Sequence, residues 1–315
     1  MIKHPLGTKV RRLELRVPAS TSNLGPGFDV LGMALGLYNE FIFERLEGNT
    51  GKGPEVIIEG EGADILMRGE SRTYQALVRA SAHLGTEPPP VRIIQHNAIP
   101  LARGLGGSGT AVLAGIVAAF LFAGRDVDRS PVLDMALSME GHPDNVTPQT
   151  VGGLTVSRIS DGHVVYLKFA PPAHLRAVVC IPDRPLDTGL ARQVLPTHYS
   201  REDVVFNIGG AAMTVAALAT GNLEHLPLAM QDRLHQPYRA PLLPGMMEMI
   251  EAALAAGSPG AALSGAGSGI FAFAYAHNER AIGAAMERAA AQAGMRAYSL
   301  YLPINQDGFQ IVDVA

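Results

Sequence analysis

The sequence predicts an α+β protein with two domains, and three observations lead to that prediction. The chain has 315 residues, a length that usually divides into more than one hydrophobic core. Residues 111–123 are apolar on every side and follow a glycine-rich loop, which is typical of a fully buried helix. The closing order of strand, helix, strand and strand is typical of an antiparallel α+β domain.

The elements of the first domain follow from hydrophobic periodicity and from glycine or proline boundaries. Leu13, Leu15 and Val17 alternate with charged residues and predict a strand, which Pro18 should end. Further strands are predicted at residues 37–47, 55–59, 91–95, 154–157 and 163–169. Helices are predicted at residues 71–84, 111–123 and 132–140, each closed by a glycine.

The second domain is predicted to follow a linker at Pro171-Pro172. We therefore place the boundary at residue 165, which gives domains over residues 1–165 and 166–315. Strands are expected at residues 175–181, 270–275, 297–302 and 309–314. Helices are expected from residue 187 onward and at residues 207–220, 226–234, 245–256 and 278–293.

Composition limits the classes of function. The net charge of −4 offers no basic surface for nucleic acid. The single cysteine, Cys180, lies in a predicted core strand, which excludes an intrachain disulfide and a cysteine-rich metal site. No apolar run reaches the roughly 18 residues of a membrane span. We expect a cytoplasmic protein whose partners are small molecules, without nucleic acid or membrane, and a homodimer is compatible with the sequence.

The glycine-rich loop before the apolar helix is the main candidate for ligand binding. Gly104, Gly106 and Gly107 would let a ligand approach the backbone, and the following helix start offers free N–H groups that suit a phosphate. Ser108 can cap that helix or hold a metal that accompanies the phosphate. A structural turn before a core helix is the simpler alternative.

A dinucleotide fingerprint, Gly104-x-Gly106-x-x-Gly109, is a third interpretation of this loop. That fingerprint requires a strand that runs directly into the glycines. Here residues 96–103 separate the predicted strand from the loop, so a phosphate loop is favoured.

Glu140 stands in the last turn of a predicted helix, where the helix dipole disfavours a carboxylate. A nearby cation, such as a metal bound with a phosphate, would remove this conflict, whereas a solvated glutamate would cost only a few tenths of a kcal/mol. A short polar loop with His142, Asp144 and Asn145 follows, and such groups can orient a hydroxyl or accept an ammonium. For His142 alone, a structural role is the simpler alternative.

Four further residues suggest an acceptor with amino-acid chemistry. Asn23 and Asp29 stand on either side of a Gly-Pro-Gly turn, where a loop fixes side chains at a strand end. Asp29 could pair with an ammonium, while Arg192 and Arg239 could hold a carboxylate in bidentate fashion. Together these groups describe a site for a zwitterion.

Three stretches together resemble the three motifs of the GHMP small-molecule kinases. They are residues 18–32 (PASTSNLGPGFDVLG), residues 100–110 (PLARGLGGSGT) and residues 264–268 (SGAGS). Residues 140–148 (EGHPDNVTP) and 236–245 (QPYRAPLLPG) resemble further segments of one member of that family. The resemblance covers residues 13 to about 275.

The resemblance implies a fold and an activity. It implies an ATP-binding first domain with a left-handed βαβ crossover and a ferredoxin-like second domain. It also implies ATP-dependent phosphorylation of the side-chain hydroxyl of L-homoserine, with Mg²⁺, on the route to threonine. Catalysis would come from alignment and charge neutralisation, with Asn145 orienting the hydroxyl.

The resemblance also implies a role for each site residue. Ser108 and Glu140 would lie near Mg²⁺, and the catalytic group would be Asn145, Asp144, Glu140 and Ser108. The acceptor pocket would consist of Asn23, Asp29, His142, Arg192 and Arg239, together with Asp144 and Asn145. The ATP loop would consist of Pro100, Leu101, Ala102, Arg103, Gly104, Leu105, Gly106, Gly107, Ser108, Gly109 and Thr110.

Four positions depart from the family pattern. Gly107 replaces a serine, Gly109 replaces an alanine, Ser268 stands where proline is usual, and Ile270 stands where a small polar residue is expected. Two alternatives to the leading hypothesis remain, and the departures at Gly107 and Ser268 motivate the first of them. One is a ligand-binding relative without catalysis, and the other is a GHMP kinase with a different small acceptor.

Overall fold

The computed structural model describes residues 10–48 and 53–315. The protein contains two sheets. The first has seven strands and is built mainly from the N-terminal half of the chain, and the second has four strands. The strands are β1 (Arg12–Ser22), β2 (Leu31–Arg45), β3 (Glu55–Gly60), β4 (Val91–Asn97), β5 (Leu154–Ser160), β6 (His163–Phe169), β7 (Leu175–Pro182), β8 (Ala261–Leu263), β9 (Ile270–Tyr275), β10 (Ala297–Pro303) and β11 (Gln310–Val314).

Eleven α-helices lie in the described residues. They are α1 (Ala63–Leu66), α2 (Arg72–His83), α3 (Gly107–Phe122), α4 (Arg129–Glu140), α5 (Val146–Val151), α6 (Thr188–Gln193), α7 (Arg201–Thr220), α8 (Leu226–Ala229), α9 (Gln236–Arg239), α10 (Met246–Ala255) and α11 (Glu279–Gln292). Helix α5 was expected to be loop, and α7 begins six residues before its predicted start. The predicted helix at residues 226–234 shortens to the single turn of α8.

The first sheet has the strand order β11-β1-β2-β4-β3. Strand β5 also pairs with β2, and β6 pairs with β5. All of its pairs are antiparallel except β3 with β4, which a crossover through α1 and α2 connects. Strand β1 does not end at Pro18 as predicted. It continues to Ser22 through a shift in register between Pro18 and Ala19, and such an irregularity accommodates the missing N–H of proline.

Helix α3 lies at the centre of the first domain, as its sequence predicts. Every residue from Gly109 to Leu121 is buried, because the helix has no polar face to present to water. It packs against α2, α4 and β1 in one apolar core that includes Leu113, Ile116 and Phe43.

The second sheet has the order β10-β7-β9-β8, and all of its pairs are antiparallel. With α11 between β9 and β10, this is the strand order of a ferredoxin-like domain, as expected. Helices α10 and α11 cover one face through Met249, Ile282 and Met286. The other face shares a core with β1, β2 and α7, so the two sheets meet through buried apolar side chains.

The division between the sheets differs from the predicted boundary at residue 165. Strand β6 pairs with β5 over its whole length to Phe169, so residue 165 lies inside the first sheet. Strand β11 returns to pair with β1, although it belongs to the sequence range expected for the second domain. Side-chain alternation identifies a strand but does not say which sheet it joins, so the sequence could not assign β6 and β11 to the first sheet.

Helix α7 is the one helix in residues 10–48 and 53–315 with the length and apolar composition to cross a membrane. It packs on one side through Thr214, Ala217 and Leu218.

Candidate active site

A cleft of about 470 Å³ is lined by strand, helix and loop residues of the first domain and by helix and loop residues of the second. It contains every predicted site residue except two. The lining residues among those predicted are Asn23, Asp29, Pro100 to Ser108, Glu140, His142, Asp144, Asn145, Arg192 and Arg239. Gly109 and Thr110 lie behind the loop, where the buried Thr110 hydroxyl donates to the Gly107 carbonyl oxygen at 2.7 Å.

The backbone of the glycine-rich loop requires two of its glycines. Gly104 and Gly106 both have φ 69°. A Cβ at Gly104 would lie 1.8 Å from the Ser264 carbonyl oxygen, and one at Gly106 would lie 2.3 Å from Ser20 Oγ. Gly106 caps α3, so the free N–H groups of the first turn face the cleft. This is the geometry of an anion site at a helix start.

The two glycines that depart from the family pattern have different surroundings. A Cβ at Gly107 would meet only Ile99, at 3.8 Å, so a serine would fit there. A Cβ at Gly109 would lie 2.4 Å from Gln149 Oε1. Gln149 is fully buried, and its Nε2 donates to the Gly106 carbonyl oxygen at 2.7 Å. Gly109 therefore makes room for a side chain that supports the loop.

Glu140 ends α4 and faces the start of α3. Ser108 Oγ donates to Glu140 Oε1 at 2.9 Å. The Nη2 atom of Arg72 lies 2.6 Å from the same oxygen. This positive charge offsets the unfavourable interaction between the Glu140 carboxylate and the C-terminal end of the helix dipole. Arg72 was missed in the sequence, where the only signal was its place next to the helix cap Ser71.

Ser108 and Glu140 together fit a magnesium ion. Both offer hard oxygen ligands beside a phosphate-binding helix start, and Mg²⁺ needs only one or two protein oxygens when waters and phosphate complete its shell. This donor set could hold the ion in the position that the sequence suggests.

Asn145 is fixed by two serines of β1. Its Oδ1 accepts from Ser20 Oγ at 2.9 Å, and its Nδ2 donates to Ser22 Oγ at 3.1 Å. Its side chain does not cap α5, whose start it occupies. The amide is therefore held in the cleft by tertiary contacts, next to Asp144.

His142 and Asp144 form a close pair with 2.7 Å between Nδ1 and Oδ1. Burial lowers the pKa of His142, but the hydrogen bond and the charge of Asp144 outweigh it, so the pKa is raised. Asp144 is only 2% exposed. Ligand atoms of Asp29, His142 and Asp144 lie within 4.8 Å of one another, so the three groups can share one cation.

Asp29 pairs with Arg192 rather than standing free for an ammonium. The guanidinium donates to both carboxylate oxygens, at 2.7 and 3.1 Å. Both side chains line the cleft and stay partly exposed. A zwitterion placed against this pair would set its carboxylate toward the arginine and its ammonium toward the aspartate, so that the charges alternate.

Arg239 is the largest fully buried side chain of the described residues. Its Nε donates to the Ala191 carbonyl oxygen and its Nη1 to that of Gly265, both at 3.0 Å. Burial, reinforced by the charge of Arg192, lowers its pKa to about 10. Among the described residues, no hydrogen bond uses Nη2, which leaves this nitrogen for a ligand in the cleft.

His235 holds Arg239 from behind and was also missed in the sequence. Its Nε2 lies 2.8 Å from the Gly25 carbonyl oxygen, which can only accept, so Nδ1 is unprotonated and accepts from Arg239 Nη1 at 3.2 Å. Burial lowers the pKa of His235, in keeping with this neutral form. Phe28 stacks on His235, and the guanidinium carbons of Arg192 and Arg239 lie 5.7 and 5.5 Å from its ring centre.

The third glycine-rich stretch joins the other two motifs. Ser264 Oγ donates to the Gly104 carbonyl oxygen at 2.8 Å, and the Gly265 N–H donates to the Ser22 carbonyl oxygen at 3.2 Å. The Ser268 hydroxyl is buried without a partner among the described residues. The three motifs therefore form one continuous wall of the cleft.

This fold and cleft match known proteins. Residues 71–153 match the family described as GHMP kinases N terminal domain, and residues 214–292 match GHMP kinases C terminal. The cleft and the two matches define a small-molecule kinase of the GHMP class. The expected resemblance is confirmed. The dinucleotide interpretation is wrong, because residues 98–106 separate β4 from α3.

Individual relatives show which kinases of the GHMP class this chain resembles. The homoserine kinase of Moorella thermoacetica is 42% identical over 283 residues, which cover 90% of this chain and 94% of the relative. That of Deinococcus radiodurans is 42% identical over 276 residues, 87% of each chain. The crystal structure of homoserine kinase from Cytophaga hutchinsonii is 27% identical with a TM-score of 0.87, covering 98% of this chain and 99% of that one. The chain belongs to the homoserine kinase family.

Proposed function

We propose that this protein transfers the terminal phosphoryl group of ATP to the side-chain hydroxyl of L-homoserine and releases O-phospho-L-homoserine and ADP. One observation carries the proposal. A helix start suited to phosphate, with Ser108 and Glu140, shares a cleft with Asp29, Arg192 and Arg239, the charges that an amino-acid acceptor needs. The relatives named homoserine kinase support the same substrate.

The acceptor would bind through its two charged groups. Its carboxylate would lie against Arg192 and the free Nη2 of Arg239, and its ammonium against Asp29 and Asp144. A neutral sugar has no carboxylate for these guanidinium groups, which argues against a sugar as the acceptor.

The side-chain hydroxyl of the acceptor would then reach Asn145. Because Ser20 and Ser22 fix that amide, it can orient the hydroxyl without reorganisation during the reaction. His142 is held by Asp144 at the acceptor end of the cleft, where its raised pKa favours a positive charge close to the acceptor.

ATP would place its phosphates on the loop from Pro100 to Gly109, against the N–H groups of α3. Mg²⁺ would be held by Ser108 and Glu140 and would neutralise the charge that develops on the phosphoryl oxygens. The carbonyl oxygens of Gly106 and Gly104 accept hydrogen bonds from Gln149 and Ser264, which supports the loop. We further propose a cytoplasmic location and retain a homodimer as an expectation.

The test is ADP release measured with a panel of acceptors: L-homoserine, L-serine, mevalonate and galactose. We expect turnover with L-homoserine and little with the others. If calorimetry shows that ATP and L-homoserine bind but no phosphate is transferred, the protein is a ligand-binding relative without catalysis. Turnover with mevalonate or galactose alone would instead indicate a different kinase of the GHMP class.

A further inference from the structure

Arg72 places a positive charge in the cleft, and the proposed reaction gives this charge no role. It is the first residue of α2, and its side chain is 54% exposed and lines the cleft with Ser108 and Glu140. Its only ion pair among the described residues is with Glu140 Oε1. This arginine therefore bonds the same oxygen that the metal would need.

A divalent cation and this guanidinium compete for Glu140. Ser108 and Arg72 both donate to Oε1, at 2.9 and 2.6 Å. A metal bound to that oxygen and to Ser108 would bring two positive charges next to the guanidinium, in a site where Glu140 is only 9% exposed. The two cations repel each other at this distance and compete for Glu140 Oε1, so binding of the metal favours departure of the guanidinium.

The polyphosphate is the negative group that can receive the displaced side chain. The exposed Arg72 lines the same cleft as the phosphate loop, from Pro100 to Ser108. Guanidinium groups bind phosphate oxygens through paired N–H donors. Arg79 lies on the same helix and lines a neighbouring pocket that shares Glu70 and Ser71 with the cleft. Among the described residues, no ion pair joins it to Glu140.

We propose that Arg72 is a movable cation of the nucleotide site. It neutralises Glu140 while the site is empty, and it passes to the terminal phosphate when a magnesium nucleotide takes the Glu140 oxygen. This role rests on the proposed function, because it assumes that Ser108 and Glu140 hold the metal of ATP. It makes Arg72 a positioning residue that acts on metal and phosphate binding.

Two binding measurements test the role without turnover. Free Mn²⁺ is titrated by electron paramagnetic resonance into the full chain without nucleotide, and MgATP and MgADP are titrated by calorimetry. The variant is Arg72→Leu, and Arg79→Leu is the matched control that removes a positive charge from the same helix.

We expect Arg72→Leu to bind Mn²⁺ alone about three- to fivefold more tightly, the size of one exposed ion pair. We expect its preference for MgATP over MgADP to fall by a similar factor, and Arg79→Leu to match the wild type in both. An unchanged Mn²⁺ affinity overturns the competition, and an unchanged ATP preference overturns the transfer to phosphate. Failure of the wild type to bind MgATP would instead refute the proposed function.

Discussion

Replacing Gly109 by alanine tests how the loop is supported. The new Cβ would lie 2.4 Å from Gln149 Oε1 and 3.2 Å from Val146 Cγ1. Gln149 must move, and its 2.7 Å bond to the Gly106 carbonyl oxygen would break inside the core. We therefore expect Gly109→Ala to destabilise the protein, although alanine is the better helix former.

The magnitude follows from two opposing terms. Loss of the buried hydrogen bond, with a donor left unsatisfied, costs about 1–3 kcal/mol. Alanine in place of glycine in a helix gains up to about 1 kcal/mol. The net destabilisation should be about 0–2 kcal/mol, and KM for ATP should rise because the Gly106 carbonyl oxygen keeps only its bond from the Thr110 N–H.

The sign should reverse when Gln149 is removed. In a Gln149→Ala background the 2.4 Å clash is absent and only the 3.2 Å contact with Val146 Cγ1 remains. Gly109→Ala should then stabilise the protein by up to about 1 kcal/mol. Urea unfolding of the four proteins, followed by circular dichroism, measures this coupling. Stabilisation by Gly109→Ala in the wild-type background would refute the reasoning, and so would equal effects in both backgrounds.

Three further predictions concern the cleft. Arg239→Ala should raise KM for L-homoserine by about ten- to a hundredfold and leave KM for ATP nearly unchanged, because a charge-assisted hydrogen bond is worth about 1.5–3 kcal/mol. Ser108→Ala should weaken the use of MgATP and raise the Mg²⁺ concentration needed for half-maximal rate, because one metal oxygen is lost. His142→Gln should remove a contribution to stability that depends on pH. Since the folded-state pKa of His142 is raised, that contribution is complete below its unfolded value of about 6.5 and is lost as pH rises through the folded-state pKa.

Each of these three predictions has a decisive contrary result. An unchanged KM for L-homoserine in Arg239→Ala would exclude carboxylate binding by that residue. Normal Mg²⁺ dependence in Ser108→Ala would exclude its role as a ligand. For His142→Gln, urea unfolding at about pH 5.5 and about pH 9 should show the larger loss of stability at the lower pH, and the opposite order would contradict the charged pair with Asp144.

Local pattern was sufficient for much of the fold and for the set of cleft residues. The apolar run after the glycine loop has no polar side, so burial of α3 follows from its composition alone. Gly104 and Gly106 mark a loop that must adopt positive φ, and the structure has both at 69°. Nearly all the residues chosen from the motifs line one cleft, although their individual roles stay predictions.

Partnerships between distant residues were decided by the tertiary structure. Asp29 and Arg192 are 163 positions apart and form a bidentate pair that spacing cannot show. The cation beside Glu140 is Arg72, 68 positions earlier, and nothing local distinguishes this arginine from others. The helix dipole suggested a cation there, with a solvated glutamate as the alternative, and the sequence could not say which cation it would be.

Sheet membership shows the same division. Alternation of side chains identified the strands near residues 163–169 and 309–314, because a half-buried strand needs it whatever its neighbours are. It did not reveal that β6 and β11 both join the first sheet, since pairing depends on the path of the chain. The sequence by itself determined most of the local elements and which residues line the cleft, while the roles of the phosphate loop and the acceptor residues stay predictions. Only the tertiary structure decided which strands pair and which charges meet, because those contacts are formed by residues that lie far apart along the chain.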